Sequence, residues 1–306
     1  MTESDRMDDD AYILSSKMTS FLGWAEAEQP PEDDPAEAFH EASKNLPGLQ
    51  PRISDAGLDV AMDPTVGVPG ATVSRSVKRN LALPTIALPE PEYLSMSVGE
   101  AICQRRSRRH FAAHPLSLLD LATLLHGAYG VTAERKIPVG RQRFRSVPSG
   151  GALYPLEIYP VVKNVEGVQQ GLYHYDPFRH LLEEIRTDDA ERALRDLLVE
   201  LPNLPDIPGT CGVVLFVAGI FWRTKFKYAL RGYRWVLIEA GHVGQNLALA
   251  AESRGLGLFS NGGFWDRKVD AYLGLDGVNE SVVYSLVAGS AADGQPEAED
   301  GESSFS

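Results

Sequence analysis

The chain has 306 residues, 43% of them hydrophobic, and a formal net charge of -13. This length and composition allow a substantial hydrophobic core in one large domain or two smaller ones. No apolar run approaches the roughly 20 residues needed to cross a bilayer, and the acidic start does not resemble a secretion signal, so we expect a cytoplasmic protein without a membrane partner. The negative charge argues against a general nucleic-acid binder.

The N-terminal part of the chain differs in composition from the rest. Residues 1–82 are acidic, rich in proline and alanine, and poor in sustained periodicity. Within them, residues 11–24 and 34–43 could each form a short amphipathic helix, and the remainder is predicted to be a loosely organised extension. A proline-punctuated segment then leads into regular elements, so we place the compact domain at residues 83–290. Residues 291–306 are acidic and rich in glycine and serine, and they predict a disordered tail.

Within the domain, helical and strand-like patterns are mixed. Helices are predicted at residues 97–106, 118–129, 189–201 and 235–254. Strands are predicted at residues 156–162, 171–175, 181–185, 212–220 and 281–288. The order is not a β-α-β-α alternation, which favours the α+β class with a mixed, mostly antiparallel sheet flanked by helices. The apolar stripe of the longest helix contains small residues, which would let another helix approach closely.

A turn softened by glycines precedes the first long strand, in the segment R-S-V-P-S-G-G-A-L-Y-P-L-E-I-Y at residues 145–159. Gly150 and Gly151 have no Cβ, so the backbone there can take unusual dihedral angles and lie against a flat or anionic group. A tight loop that only enters a core strand is the alternative. Gly262 and Gly263 again permit close backbone approach. No G-x-G-x-x-G or G-x-x-x-x-G-K-[ST] motif is present to indicate a Rossmann or P-loop site.

Basic residues cluster at residues 104–110, where Q-R-R-S-R-R-H sets four arginines around one serine at the end of a predicted helix. Guanidinium groups match phosphate oxygens in charge and geometry, and serine adds a neutral donor. On an acidic protein this pattern indicates a phosphate site. The alternatives are a solvated basic helix end that complements the helix dipole and, less favoured, an RNA contact, for which neighbouring stacking aromatics are lacking.

Lys227 and Tyr228 are neighbours between a predicted strand and the long helix. A nearby ammonium group can make a tyrosine a usable proton acceptor. Adjacent residues on a helix do not face each other, so the pair predicts chemistry only where the backbone is irregular; a surface lysine beside a half-buried tyrosine is the alternative. The seven histidines show no metal-ligand spacing with cysteines or carboxylates, so we predict no metal site.

Five segments resemble, in their order and spacing, the nitroreductase-like flavoproteins, and more narrowly the SagB-type azoline dehydrogenases. The segments are R-R-S-R-R-H-F, P-S-G-G-A-L-Y-P-L-E-I-Y, G-L-Y-H-Y-D-P, E-A-G-H-V-G-Q-N-L and G-L-G-L-F-S-N-G-G-F, within residues 83–289. The resemblance implies an α+β fold that forms a homodimer, with the long central helix at the dimer interface. It also implies FMN bound between the subunits.

The resemblance further implies roles for individual residues. The residues expected to bind FMN are Arg105, Arg106, Ser107 and Arg109 at the phosphate and ribityl chain, Ser149, Gly150, Ala152 and Tyr154 along the flavin, Gly262 and Gly263 at the isoalloxazine edge, and Gln245 and Asn246 framing the site. Lys227 and Tyr228 match the pair assigned to proton abstraction in azoline dehydrogenases. One departure is at residues 288–293, A-G-S-A-A-D, which lack the basic phosphate contact of many relatives.

The resemblance therefore predicts an FMN-dependent dehydrogenase that oxidises a thiazoline or oxazoline in a ribosomally made peptide to the thiazole or oxazole. The first alternative is a flavin-dependent reductase that uses NAD(P)H on quinones, nitro compounds or dehydroamino acids. The Lys-Tyr pair argues mildly against a reductase, because a simple hydride relay needs no such base. The second alternative is a non-catalytic scaffold that partners a cyclodehydratase.

Overall fold

A computed structural model of the chain describes residues 35–44, 77–78, 82–137, 140–199 and 205–292. The chain divides into two compact units, Met1–Gln50 and Pro51–Ser306. In the first unit, the helix expected at residues 34–43 is present as α1, Pro35–Ala42. The helix expected at residues 11–24, most of the N-terminal extension and all but the first two residues of the tail lie outside the described residues.

One large sheet organises the second unit. The described helices are α2 (Val98–Gln104), α3 (Leu118–Tyr129), α4 (Ala190–Leu197), α5 (Ile207–Thr210), α6 (Trp222–Tyr228), α7 (Arg231–Ser253) and α8 (Asp266–Leu273). The described strands are β1 (Thr85–Ala87), β2 (Val131–Ile137), β3 (Gly140–Arg145), β4 (Leu156–Val162), β5 (Gly171–Asp176), β6 (Leu181–Thr187), β7 (Val213–Ile220), β8 (Leu256–Asn261) and β9 (Glu280–Ser290).

The sheet contains seven strands in the order β1-β6-β5-β4-β7-β9-β8, and β2 pairs with β3 in a separate hairpin. Neighbouring strands of the sheet run antiparallel throughout. Helices lie on both of its faces. The predicted α+β class with a mostly antiparallel sheet is therefore confirmed.

Both faces of the sheet are buried, because successive side chains of a strand point to opposite sides. Alternate residues of β7 enter two different cores. One core, beside α3 and α7, contains Val213, Leu215 and Val217. The other, beside α4 and α8, contains Val214, Phe216 and Ala218. A strand covered on both faces appears in the sequence as a continuous apolar run. This explains why β7 was recognisable without any polar alternation.

Several predicted elements are confirmed closely, and others were missed. The helix at residues 118–129 and the strand at residues 156–162 match α3 and β4. The long helix begins at Arg231, a turn earlier than predicted. The hairpin of β2 and β3 and the helices α6 and α8 were not predicted. Most of β2 is exposed, and the buried side chains of α6 are Arg223 and Thr224, so neither element shows an apolar period.

The long helix α7 approaches the sheet closely at two glycines. A Cβ on Gly219 of β7 would lie 2.6 Å from Val236 Cγ1 of α7, and a Cβ on Gly244 of α7 would lie 2.5 Å from Tyr284 Cε1 of β9. The sequence suggested that the small residues of α7 admit another helix. At Gly244, the element that approaches closely is instead the strand β9. Although α7 has 23 residues, it does not have the apolar character of a membrane span, and neither does any other described helix.

Replacing Gly219 by alanine is expected to destabilise the protein, because the added methyl group would overlap the fully buried Val236. Overpacking of this kind costs about 1–3 kcal/mol. Gly127→Ala is the matched control: its methyl group would meet Ala250 Cβ at an ordinary 3.5 Å, and alanine favours the helix by about 1 kcal/mol. Urea unfolding measures both changes. Equal stability of Gly219→Ala and the wild type would contradict the packing described.

Candidate functional site

The loop between β3 and β4, called the glycine loop below (residues 149–154), has a strained backbone. Gly151, Ala152 and Tyr154 have positive φ angles of 67°, 53° and 47°. Residues with a Cβ rarely adopt such angles, so their neighbours must hold Ala152 and Tyr154 in place. The amide of Tyr154 donates to Ser149 Oγ at 2.9 Å, which closes the loop. Backbone strain of this kind is common at ligand-binding and catalytic sites.

The Lys-Tyr pair lies directly against this loop. Lys227 and Tyr228 are the last two residues of α6, and the helix ends at Ala229, which has a φ of 48°. A Cβ placed on Gly151 would lie 2.8 Å from Tyr228 Oη and 2.9 Å from Lys227 Nζ. Both polar atoms reach the same point of the loop, and a glycine leaves room for them. The structure therefore brings together two motifs that are distant in the sequence.

Trp235, in the second turn of α7, forms a wall beside the pair. Its ring lies 6.2 Å from the ring of Tyr228, in an edge-on arrangement, and its Cγ would lie 3.5 Å from a Cβ on Gly150. Its Nε1 is buried and has no hydrogen-bond partner among the described residues. A buried donor without a partner is unusual in a native protein, and a bound polar group could satisfy it. Sequence reasoning did not select Trp235, because a single tryptophan at the start of a helix carries no distinguishing signal.

A buried acid lies behind the glycine loop. Glu239 of α7 accepts a 2.6 Å hydrogen bond from the Tyr129 hydroxyl, which in turn accepts the amide of Leu156, the first residue of β4. Burial raises the pKa of the Glu239 carboxyl to about 7, although the hydrogen bond from Tyr129 favours the charged form. The guanidinium of Arg145 lies 4.0 Å from the centre of the Tyr129 ring. These contacts tie α3 and α7 to the strand that follows the loop.

A second buried cluster, centred on His174 of β5, was missed by the sequence reasoning. His174 Nε2 lies 2.9 Å from Glu157 Oε2 of β4, and its Nδ1 lies 2.8 Å from Glu183 Oε2 of β6. Burial would lower the pKa of His174, but the hydrogen bonds to both carboxylates outweigh it and raise the pKa to about 9. Burial would raise the pKa of Glu157, but Arg223 and His174 outweigh it and lower the pKa to about 2. The available signal was a glutamate inside an apolar run, L-E-I-Y.

The arginine segment, residues 105–109, lies far from the glycine loop within one chain. The amide of Arg108 donates to Leu258 O of β8 at 3.0 Å. The pairings of β8 with β9, of β9 with β7 and of β7 with β4 make Leu258 level with Val162, the last residue of β4. The glycine loop lies at the other end of β4, before its first residue, Leu156. Six residues of a strand span roughly 20 Å. A single chain therefore does not bring the arginines to the Lys-Tyr pair.

The arginines of this segment differ in their contacts. Arg108 pairs with Glu252 of α7 at 2.9 Å, and Arg106 Nη1 donates to Cys103 O at 2.8 Å. The guanidinium of Arg109 lies 5.7 Å from the centre of the Phe259 ring. Arg105 and Arg109 pair with no carboxylate in the described parts of the chain. Ser107 is exposed between them. Two cations and a hydroxyl are thus available for an anionic group.

The second glycine pair follows β8. The amide of Gly263 donates to Asn261 Oδ1 at 3.1 Å, and its carbonyl oxygen accepts the amide of Val199 at 3.0 Å. Both backbone groups of Gly263 are therefore used within the chain. Gly262 is exposed, and a Cβ there would meet no atom within 4 Å. Of the two, Gly262 is the one whose backbone a ligand could approach.

The two polar residues expected on the long helix have different surroundings. Asn246 Nδ2 donates to Gly127 O of α3 at 3.1 Å, so this side chain joins α7 to α3. Gln245 is exposed on α7. Tyr154 is also engaged within the chain, because its hydroxyl accepts the Arg145 amide at 3.0 Å. Asn246 and Tyr154 can therefore shape the site, while Gln245 is accessible.

Comparison with known proteins gives a family match. Residues 102–290 match the model of the nitroreductase family. MJ1384 of Methanocaldococcus jannaschii, provisionally named a nitroreductase, is 37% identical over 190 residues, which cover 60% of this chain and 88% of MJ1384.

Two further similarities are to Escherichia coli proteins. The microcin B17-processing protein McbC is 35% identical over 136 residues, which cover 43% of this chain and 49% of McbC. The matched region thus spans about half the length of McbC. A chain of the microcin synthetase McbBCD complex with truncated pro-MccB17 bound has a TM-score of 0.52 and 23% identity, over 88% of this chain and 86% of that one. The second likeness shows a shared fold.

Gly151→Ala is expected to displace the Lys-Tyr pair, because its methyl group would occupy the position that Tyr228 Oη and Lys227 Nζ approach. Gly167→Ala is the matched control: Gly167 has a φ of 73°, and a Cβ there would meet no atom within 4 Å. Both variants should lose about 1–2 kcal/mol of stability from the positive φ. In crystal structures of the two variants, only Gly151→Ala should move the Tyr228 hydroxyl. An unmoved pair in Gly151→Ala would contradict the contact.

His174 is expected to titrate near pH 9 in the folded protein. A histidine in the unfolded chain has a pKa of about 6.5, so the stability that His174 contributes is complete below that pH and is lost as the pH rises through about 9. The free energy of unfolding of the wild type and His174→Gln, measured by urea unfolding at several pH values, should therefore converge across this window. A difference that stays constant from about pH 6.5 to pH 9 would show that His174 is not a buried cation.

Proposed function

We propose that this chain, which belongs to the nitroreductase family, is an FMN-dependent dehydrogenase that oxidises thiazoline or oxazoline rings in a ribosomally made peptide. The meeting of Lys227 and Tyr228 at Gly151 carries the proposal, because the tyrosine hydroxyl that would accept a proton and the lysine side chain that would assist it lie together at the glycine loop. The similarity to McbC, a protein named for microcin B17 processing, supports a peptide substrate.

The residues present fit FMN in three respects. Gly151 is exposed, and Ser149, Gly150 and Ala152 beside it are partly exposed, so a flat ring would contact the loop beside Tyr228 and Trp235. Trp235 Nε1 is a buried donor that lacks a partner among the described residues. Arg105 and Arg109, with Arg106 and Ser107 between them, would hold the phosphate. Gly262 would approach the edge of the ring, and Gln245 would frame the site.

The separation between the arginine segment and the glycine loop supports a site shared by two copies of the chain. The arginine segment and the glycine loop lie roughly 20 Å apart along the strands, so within one copy they do not line the same pocket. The outer face of α7 carries the exposed apolar residues Leu237 and Ile238, which are 44% and 48% exposed. Exposed apolar side chains on a long helix are typical of a subunit interface. We therefore propose a homodimer that packs through α7 and completes each site from both subunits.

In this site the chain would bind and orient the azoline and take one proton from it. Tyr228, with the ammonium group of Lys227 beside it, would accept the proton from the ring Cα. Bound FMN would supply the two-electron acceptor, taking the hydride that leaves Cβ. Loss of one proton and one hydride converts the azoline to the aromatic azole, which balances the reaction. The glycine loop would exclude water from one side and hold the ring at the correct distance.

The chemistry of the substrate also indicates a partner. An azoline ring forms when a cysteine, serine or threonine side chain closes on the preceding peptide carbonyl with loss of water, so a cyclodehydratase must act before this chain. The McbBCD complex contains a chain with the same fold, together with its precursor peptide. We therefore propose that a cyclodehydratase delivers the peptide to this protein.

Tyr228→Phe should leave FMN bound and reduce turnover, because the ring is kept and only the proton acceptor is lost. General-base help is worth about 10²- to 10⁴-fold, and a loss in that range is expected. Tyr93→Phe, at a tyrosine that is 93% exposed, is the control. The measurements are the flavin absorbance after reconstitution with FMN and the rate of azole formation from an azoline peptide. Wild-type turnover in Tyr228→Phe would remove this residue from the mechanism. Failure of the wild type to bind FMN would contradict the proposed function.

A further inference from the structure

The placement of α6 needs an explanation, because this helix is too short to hold its own position. It has seven residues and no side-chain cap at its start. Isolated helices of this length are unstable in water, so tertiary contacts must fix it. Its buried side chains are Arg223 and Thr224. Thr224 Oγ1 donates to Gly232 O at 2.8 Å, which joins α6 to the start of α7. The contacts of Arg223 are directed to β4 and to the glycine loop.

We infer that Arg223, held by Glu157, is a positioning residue that sets Lys227 and Tyr228 against the glycine loop; this inference rests on the proposed function of the pair. Arg223 Nη2 lies 2.6 Å from Glu157 Oε1, and Nη1 donates to Tyr154 O at 3.2 Å. One guanidinium thereby connects α6 both to β4 and to the last residue of the glycine loop. Its planar fork is suited to this double contact.

The spacing along α6 transmits this contact to the Lys-Tyr pair. Arg223 and Lys227 are four residues apart, so they lie on the same face of the helix. Arg223 contacts Tyr154 at one end of the loop, and Lys227 lies beside Gly151 nearer its other end. The face of α6 that carries both cations is therefore docked on the loop at two points. A shift of Arg223 would move Lys227 and Tyr228 relative to Gly151.

Glu157 is itself held rigidly. Its Oε1 also accepts the backbone amide of Lys78 at 2.8 Å, and its Oε2 is bonded to His174 at 2.9 Å. His174 continues to Glu183, and Glu183 pairs with Arg179. Positive and negative side chains alternate in this series of contacts, which crosses the three adjacent strands β4, β5 and β6. The anchor for Arg223 is thus a fixed part of the sheet.

The burial of this pair indicates positioning more than stability. Arg223 is 4% exposed and Glu157 is 1% exposed. Desolvation offsets most of the attraction within a buried ion pair, which often contributes little net stability compared with apolar residues of similar size. Arg223 Nε, moreover, is buried and has no hydrogen-bond partner among the described residues. An apolar residue would fill the same space, but it could not fix α6 to the loop at two points.

The test uses the full chain reconstituted with FMN and the variants Arg223→Lys and Glu157→Gln. Lysine keeps the charge but has no planar fork, so Arg223→Lys should lower kcat for azoline oxidation by about ten- to a hundredfold while KM and FMN content stay near wild type. Glu157→Gln keeps an acceptor and removes the charge, so a smaller loss of the same kind is expected. Arg195→Lys alters an exposed ion pair on α4 and serves as the control.

Amide hydrogen exchange of α6 gives a readout that does not depend on activity. Exchange in α6 and in the glycine loop should be faster in Arg223→Lys and Glu157→Gln than in the wild type or Arg195→Lys. Wild-type kcat in both variants, or unchanged exchange in both, would overturn the inference. If the wild type does not oxidise an azoline peptide, the proposed function fails and exchange alone decides: faster exchange supports the positioning role, and unchanged exchange contradicts it. If Arg223→Lys does not fold, Glu157→Gln provides the same comparison.

Discussion

The missing Cβ at Gly151 is the constraint on which the candidate site depends. At this position the backbone has a φ of 67°, and two polar side chains occupy the space that a methyl group would take. The strain continues through Ala152 and Tyr154, so the loop is specified by its surroundings more than by its own residues. α6, α7 and β4 all contact the loop or its ends, and the positions of Lys227 and Tyr228 follow from those contacts.

Charge is distributed in a way that serves this arrangement. The chain as a whole is acidic, with a net charge of -13, yet cations lie at both parts of the proposed site. At the glycine loop, Arg223 forms a buried ion pair with Glu157, so its charge is already neutralised within the chain. At the arginine segment, Arg105 and Arg109 pair with no carboxylate of the described chain and remain available for an anion. The first group fixes geometry, whereas the second can bind.

The sequence predicted the fold class and the motifs better than their spatial relations. The apolar face of α3 and the nearly continuous apolar run of β4, which is buried on both faces, identified those elements to the residue. The same criterion could not find α6, whose buried side chains are an arginine and a threonine. The spacing of the histidines indicated no site at His174, and only the pairing of β4, β5 and β6 brings it between two carboxylates.

The distance between the arginine segment and the glycine loop was also beyond the sequence, because it depends on the register of four strands. The resemblance implied FMN between two subunits, but it did not show that the two motifs lie apart within one chain. Strand register makes the arginine segment, beside β8, level with the last residue of β4, whereas the glycine loop precedes the first. In the proposed homodimer, the arginine segment of one copy would complement the glycine loop of the other.

Anaerobic mixing of the FMN-reconstituted protein with a peptide that contains one azoline ring distinguishes a dehydrogenase from a reductase. For a dehydrogenase, the flavin absorbance should bleach and one azole should form for each flavin reduced, while NAD(P)H alone should bleach the flavin slowly or not at all. Rapid bleaching by NAD(P)H with no bleaching by the azoline peptide would contradict the proposed dehydrogenase and would identify the protein as a reductase.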